Sequence, residues 1–68
     1  MPEIKDRLIE LRKERNLTQN QVATVLGMSR NGYASIEQGL AELSIKYVKP
    51  LCELYGVSAD VVIGLKEF

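Results

Sequence analysis

The sequence predicts an all-α fold, a compact domain of five short helices. Three observations predict it. Capping residues recur along the chain at Thr18, Ser29, Ser44 and Ser58, each opening a stretch with helical apolar spacing. Glycines stand where those stretches should stop, at Gly27, Gly39 and Gly56. The residue before each cap is apolar (Leu17, Met28, Leu43, Val57), as is the fourth helical residue after it (Val22, Tyr33, Val48, Val62). Those are four hydrophobic staples in one chain of 68 residues.

The first helix is expected over about residues 3 to 15, where Ile4, Leu8 and Leu11 fall at i, i+4 and i+7. Asn16-Leu17 ends it. Thr18 caps the second helix, and Gln21 three residues later completes a capping box. Ser29 caps the third, which runs to Gly39. Within it Asn31-Gly32 is a hairpin signal, but its flanks are too short and alternate too poorly to make strands. Gly32 costs that helix about 1 kcal/mol relative to Ala. Ser44 caps the fourth helix, ending at Gly56. Pro50 lacks the N–H that a helix interior needs, so this helix is either kinked there or begins only near Lys49. Ser58 caps a short fifth helix with Asp60 in its first turn, a favourable place for an anion.

Composition excludes several classes of function. The chain contains no His and a single Cys, which removes the usual zinc spacings, any internal disulfide, and the Ser-His and Cys-His nucleophile pairs. No paired acid and base suggests an enzyme, no cofactor is expected, and no small-molecule ligand is indicated. Cys52 sits at an alanine-like core position and reads as an inert buried thiol. No apolar run approaches the roughly 18 residues of a membrane span. The N-terminus lacks the pattern of a signal peptide, so a reduced cytoplasmic, nucleoid-associated setting is expected. Net charge is zero, but it is unevenly spread. Residues 12–35 carry Arg12, Lys13, Arg15 and Arg30 against Glu14, a net +3, whereas residues 36–68 carry a net −2.

That basic middle third contains the informative segment. Between about residues 19 and 38, two short helices meet at the turn Gly27-Met28-Ser29. Ala23 is small where the pair must cross closely. Val22, Leu26, Met28, Tyr33 and Ile36 supply the apolar faces. This is helix-turn-helix geometry, with the second helix free to enter a DNA major groove.

Here the chain resembles the Cro/repressor-type (XRE-like) helix-turn-helix regulators of phages and bacteria. The resemblance runs from about Leu8 to Gly64. It rests on Leu11-Arg12, Leu17-Thr18-Gln19, Val22-Ala23, Leu26-Gly27, Ser29-Arg30, Ile36-Glu37-Gln38-Gly39 and Leu54-Tyr55-Gly56-Val57-Ser58. It implies a lambda-repressor-like five-helix domain over residues 1–68. It also implies base contacts from Arg30, Asn31, Ala34 and Ser35. Phosphate contacts would come from Gln19, Gln38, the Gly39-Leu40-Ala41 backbone, Arg12 and Lys13, and a structural salt bridge from Arg12 and Glu37. Arg suits guanine O6 and N7, and Asn suits adenine N6 and N7. Where many relatives carry a basic residue and a proline after the glycine, this chain has Leu40-Ala41-Glu42-Leu43.

The reading is therefore a sequence-specific regulator of phage or prophage type, binding double-stranded DNA. The short chain offers no room for an effector domain, so repression by promoter occlusion is the simplest mechanism. One recognition helix reads too few base pairs, so a homodimer on a pseudo-palindromic operator is expected. The C-terminal stretch has more large apolar residues than one small core can take, which makes Val61, Ile63, Leu65 and Phe68 the expected dimer surface. The rival reading is an antitoxin-like protein that binds a partner protein through its acidic half as well as DNA.

Overall fold

A computed structural model describes residues 4–62 of the chain. Five α-helices occur among these residues: α1 (Ile4–Glu14), α2 (Gln19–Leu26), α3 (Arg30–Glu37), α4 (Val48–Tyr55) and α5 (Ala59–Val62). A single 3₁₀ turn, Ile45–Tyr47, leads directly into α4. No strand occurs among the described residues, and Asn31-Gly32 lies inside α3.

Local chemistry accounts for the boundaries. Asn16 adopts φ 56°, the left-handed conformation that Asn tolerates better than most residues, and this stops α1. The Thr18 hydroxyl accepts from the Gln21 N–H at 3.1 Å, and the Gln21 side chain accepts from the Thr18 N–H at 2.8 Å. Both halves of the expected capping box are thus present. Gly27 closes α2 at φ 72°. Ser29 caps α3 by accepting from the Gly32 N–H at 3.0 Å. Helix α3 stops at Glu37, two residues short of Gly39.

Of the two forms expected for the fourth helix, the late start is the one observed, without Ser44 as its cap. Ser44 makes no side-chain cap bond, and the chain after it winds first as a 3₁₀ turn. The α-helix begins at Val48, so Pro50 falls in its first turn. Amide groups there have no intrahelical acceptor in any case, and the missing N–H of Pro50 costs nothing.

The core is one cluster that includes Leu8, Leu11, Val22, Ala23, Leu26, Tyr33, Ile36, Leu51, Tyr55, Val61 and Val62. The residues before the expected caps, Leu17, Met28, Leu43 and Val57, pack partly buried against it. Cys52 is half-buried at the edge of this cluster and not fully enclosed. Ile4 is 39% exposed and lines a groove beside Ile36 and Leu43. Arg7, by contrast, is buried. Val61 corrects the expected dimer surface. It is 7% exposed and belongs to the protein's own core, so it has no side chain to offer a second copy. Ile63, Leu65 and Phe68 lie outside the described residues. No described helix is long and apolar enough to cross a membrane. No cluster of metal-ligating side chains occurs among the described residues.

Candidate nucleic-acid interface

Helices α2 and α3 make the most extensive helix-to-helix contact in the molecule. Small Ala23, 1% exposed, lies within that contact and lets the two backbones approach. Helix α3 turns Tyr33, Ile36 and Glu37 inward. The opposite side presents Arg30, Asn31 and Gln38 fully exposed, with Gly32 and Ser35 half-buried between them. Asn31, Ser35 and Gln38 are four and three residues apart, so they form one stripe along the outer face.

A buried polar network fixes this face to the rest of the fold. Arg12 on α1 grips Glu37 with two hydrogen bonds, Nε to Oε2 at 2.8 Å and Nη2 to Oε1 at 3.0 Å. The same guanidinium donates through Nη1 to the Leu17 carbonyl at 3.0 Å. Gln19 Nε2 also donates to Glu37 Oε1, at 3.1 Å. One carboxylate thus ties α1, α2 and α3 together. The side chains of Arg12 and Glu37 are 13% and 2% exposed. Burial by itself pushes the Glu37 carboxyl up. The hydrogen bonds from Arg12 and Gln19, with the Tyr33 hydroxyl close by, outweigh it and hold the pKa below the ordinary carboxylate value. The Glu37 hydrogen bond raises the pKa of Arg12 in return. Burial drives the Tyr33 and Tyr55 hydroxyls upward, so both stay protonated. Just past the same end of α1, Arg15 donates to the Tyr55 carbonyl at 2.8 Å and lies 5.1 Å from the centre of its ring. That holds α4 to α1.

Several expected contacts need correction. Ala34 is 9% exposed, so its methyl group offers little surface to an outside ligand. Arg12 has three of its five N–H groups engaged within the fold, in the expected salt bridge with Glu37 and on the Leu17 carbonyl. The Gly39, Leu40 and Ala41 N–H groups do not point to solvent. Gly39 donates to the Ile36 carbonyl, and Leu40 and Ala41 both donate to the Ser35 carbonyl. With Gly39 at φ 79°, these bonds satisfy the orphan carbonyls at the end of α3 and leave no main-chain donors there for a phosphate. Ser35 Oγ donates to the Asn31 carbonyl at 3.0 Å, so toward an outside ligand the hydroxyl can only accept. Gln19 is half-buried and partly committed to Glu37, with its second amide hydrogen and its oxygen left over. Lys13 and Gln38 are exposed.

Two features escaped the sequence. The Gln19–Glu37 bond depends on how α2 crosses α3, and no spacing reports it. Leu40 and Ile45, 78% and 86% exposed, are apolar residues in the segment between α3 and α4 with no core to enter. Their one sequence signal was that neither falls at a staple position.

Comparisons with known proteins agree with this geometry. The helix-turn-helix family profile matches residues 8–62. The chain is 34% identical over 59 residues to the HTH-type transcriptional regulator AnsR of Bacillus subtilis, covering 87% of this chain and 51% of that protein. It is 35% identical over 58 residues to the cryptic phage CTXphi transcriptional repressor RstR of Vibrio cholerae, covering 85% and 52%. It is 33% identical over 54 residues to the antitoxin PezA of Streptococcus pneumoniae, covering 79% and 34%. The chain therefore spans about half the length of AnsR and RstR and a third of PezA. No solved structure matches at a significant level. With the α2–turn–α3 unit in place and the family profile spanning nearly all the described residues, the chain belongs to the XRE-like helix-turn-helix family of DNA-binding transcription regulators.

Proposed function

We propose that the chain is a sequence-specific regulator that binds an operator in double-stranded DNA and represses by occluding a promoter, as a homodimer on a pseudo-palindrome. The observation that carries this reading is the outer face of α3. Arg30, Asn31 and Ser35 are held outward while Glu37, on the same helix, is locked to α1 and α2. In this reading Arg30 and Asn31 donate to base edges, and Ser35 accepts from an exocyclic amine such as cytosine N4 or adenine N6. Gln19, Gln38 and Lys13 contact phosphates and set the register of the helix in the groove. The whole chain acts as one DNA-binding domain.

The test is selection of bound duplexes from random DNA, followed by binding of the selected duplex and a scrambled duplex. A consensus with two inverted half-sites, bound at least a hundredfold tighter than the scrambled control, supports the reading; specific and non-specific affinities in such proteins differ by about 10³–10⁷. No enriched consensus would refute it. A second reading, an antitoxin-like protein that binds a partner protein as well, is favoured by the likeness to PezA and by the acidic C-terminal half. Full repression of a reporter carrying the selected site, with the chain as the only added protein, favours the first reading.

A further inference from the structure

Helix α3 carries no basic residue in its last turn, and the chain after it runs Gly39-Leu40-Ala41-Glu42 with no cation either. The main-chain N–H groups of Gly39, Leu40 and Ala41 close back on α3. Residues 38–42 therefore offer a phosphate the Gln38 amide and set the Glu42 carboxylate against it. A cation reaches this place from another element. A Cβ added at Gly39 would stand 2.9 Å from Cδ, 3.3 Å from Cε and 3.8 Å from Nζ of Lys5. The Lys5 side chain thus leaves the first turn of α1 and lies along the bare face of Gly39, with its ammonium beside that glycine.

The arrangement makes more sense for α3 than for α1. A cation in the first turn of a helix meets the positive end of its dipole, whereas one at the last turn meets the negative end. Lys5 holds the first kind of place on its own helix and the second kind on α3. Gly39 has φ 79°, a conformation that suits glycine, and the missing side chain is also what lets the Lys5 stem pass. One residue back, exposed Gln38 ends the outer stripe that begins at Asn31. The ammonium is therefore at the edge of the reading face.

Resting on the DNA-binding reading above, we propose that Lys5 is a further DNA-contacting residue, which reaches across Gly39 to place its ammonium on the phosphate next to the C-terminal end of α3. It supplies from α1 the cation that Leu40 and Ala41 do not. It also offsets the charge of Glu42, which lines the same groove. Lys5 is engaged within the chain as well, and the three N–H donors of an ammonium let it serve a phosphate at the same time. The contact positions α3 and reads no base.

The experiment compares the full chain with Lys5→Met and Lys5→Arg on the selected operator, with Lys5→Gln as a second neutral variant. Met keeps an unbranched stem over Gly39 and removes the charge, and Arg keeps the charge. Circular dichroism melts check that each is folded at the assay temperature. One readout is the slope of log K against log salt. The other is binding to duplexes in which one phosphate at a time is replaced by an uncharged methylphosphonate. Lys5→Met lowers the slope by about 0.9 per bound chain. It weakens the selected and the scrambled duplex by similar factors, up to about fivefold, the size of an exposed ion pair. Lys5→Arg restores both. At one phosphate per half-site the methylphosphonate weakens the parent and Lys5→Arg but not Lys5→Met. A purely structural Lys5 would move the melting curve and neither readout. A salt slope in Lys5→Met equal to the parent's, or a methylphosphonate profile unchanged at every phosphate, overturns the proposal while the DNA-binding reading stands. A parent that enriches no duplex overturns that reading, and the proposal with it.

Discussion

Removing Arg12 isolates what the buried network does. The Arg12→Ala change deletes both hydrogen bonds to Glu37 and the bond to the Leu17 carbonyl. It leaves a carboxylate with a 2% exposed side chain, supported only by Gln19 and the nearby Tyr33 hydroxyl. Breaking a buried pair in this way costs about 3–5 kcal/mol, against under about 1 for an exposed pair. A chain of 68 residues has a total stability of roughly 3–10 kcal/mol at 0.05–0.15 kcal/mol per residue. The loss is therefore a large share of the whole, and a 3 kcal/mol loss lowers Tm by roughly 12–24 °C. Thermal melts by circular dichroism at several pH values are the assay. In the parent, the depressed Glu37 pKa contributes stability that is fully present above the ordinary value of 4.5 and is lost as pH falls through the lower folded value. In Arg12→Ala the stranded carboxyl is raised by burial, so its penalty is greatest at neutral pH and relieved as the acid protonates. The two stability curves converge on acidification. Replacing both partners by apolar residues, Arg12→Met with Glu37→Leu, recovers much of the loss. An Arg12→Ala variant melting within about 3 °C of the parent at neutral pH would refute the burial argument.

Arg30→Ala costs about 1–3 kcal/mol on the selected operator and relaxes preference at one or two base pairs, measured by fluorescence anisotropy on single-substitution duplexes; undiminished affinity would remove α3 as the reader. Lys13→Ala weakens all duplexes alike and reduces the slope of log K against log salt by about 1, and an unchanged slope would take Lys13 off the phosphate backbone. Thr18→Ala removes one half of the α2 capping box and lowers stability by about 1 kcal/mol in urea titrations. No change there would mean that water replaces the cap at no cost.

Most boundaries were legible because they are set by residues that act locally. Thr18 with Gln21, Ser29, Gly27 and Gly56 each satisfy or redirect backbone groups within one turn, so sequence spacing is enough to find them. Ser44 failed for the same reason in reverse: Pro50 fixed where the α-helix could start, and a 3₁₀ turn filled the gap. The site was less legible. Helical phase placed Ala34 close to the outer stripe, and only packing shows how little of it is exposed. Main-chain donors at Gly39–Ala41 looked available, because sequence does not reveal that they close back on α3. The apolar surplus expected at the C-terminal end falls largely on Ile63, Leu65 and Phe68, outside the described residues. Val61 is core, and the most exposed large apolar side chains of the described residues are Leu40 and Ile45, since hydrophobicity states a preference and topology decides whether there is a core to satisfy it.

The distribution of charge bears on how such a domain could discriminate among DNA sequences. A net charge of zero is already unusual for a polyanion ligand, and the fold takes two cations further out of play. Arg12 is held by Glu37 and Leu17, and Arg15 by the Tyr55 carbonyl and ring. Each phosphate neutralised adds about 0.9 to the salt slope of binding, so each cation engaged inside the fold lowers the non-specific contribution. In the reading proposed above, contacts that depend on sequence then carry more of the affinity, and these require α3 to be held in a fixed position. Glu37 supplies that rigidity. It spends Arg12 inside the molecule, where it contributes nothing to non-specific attraction, and fixes the helix that carries Arg30 and Asn31. A charge placed there trades indiscriminate affinity for geometric definition, which favours selectivity in a cell where non-specific DNA outnumbers any operator by about 10⁶–10⁹ sites.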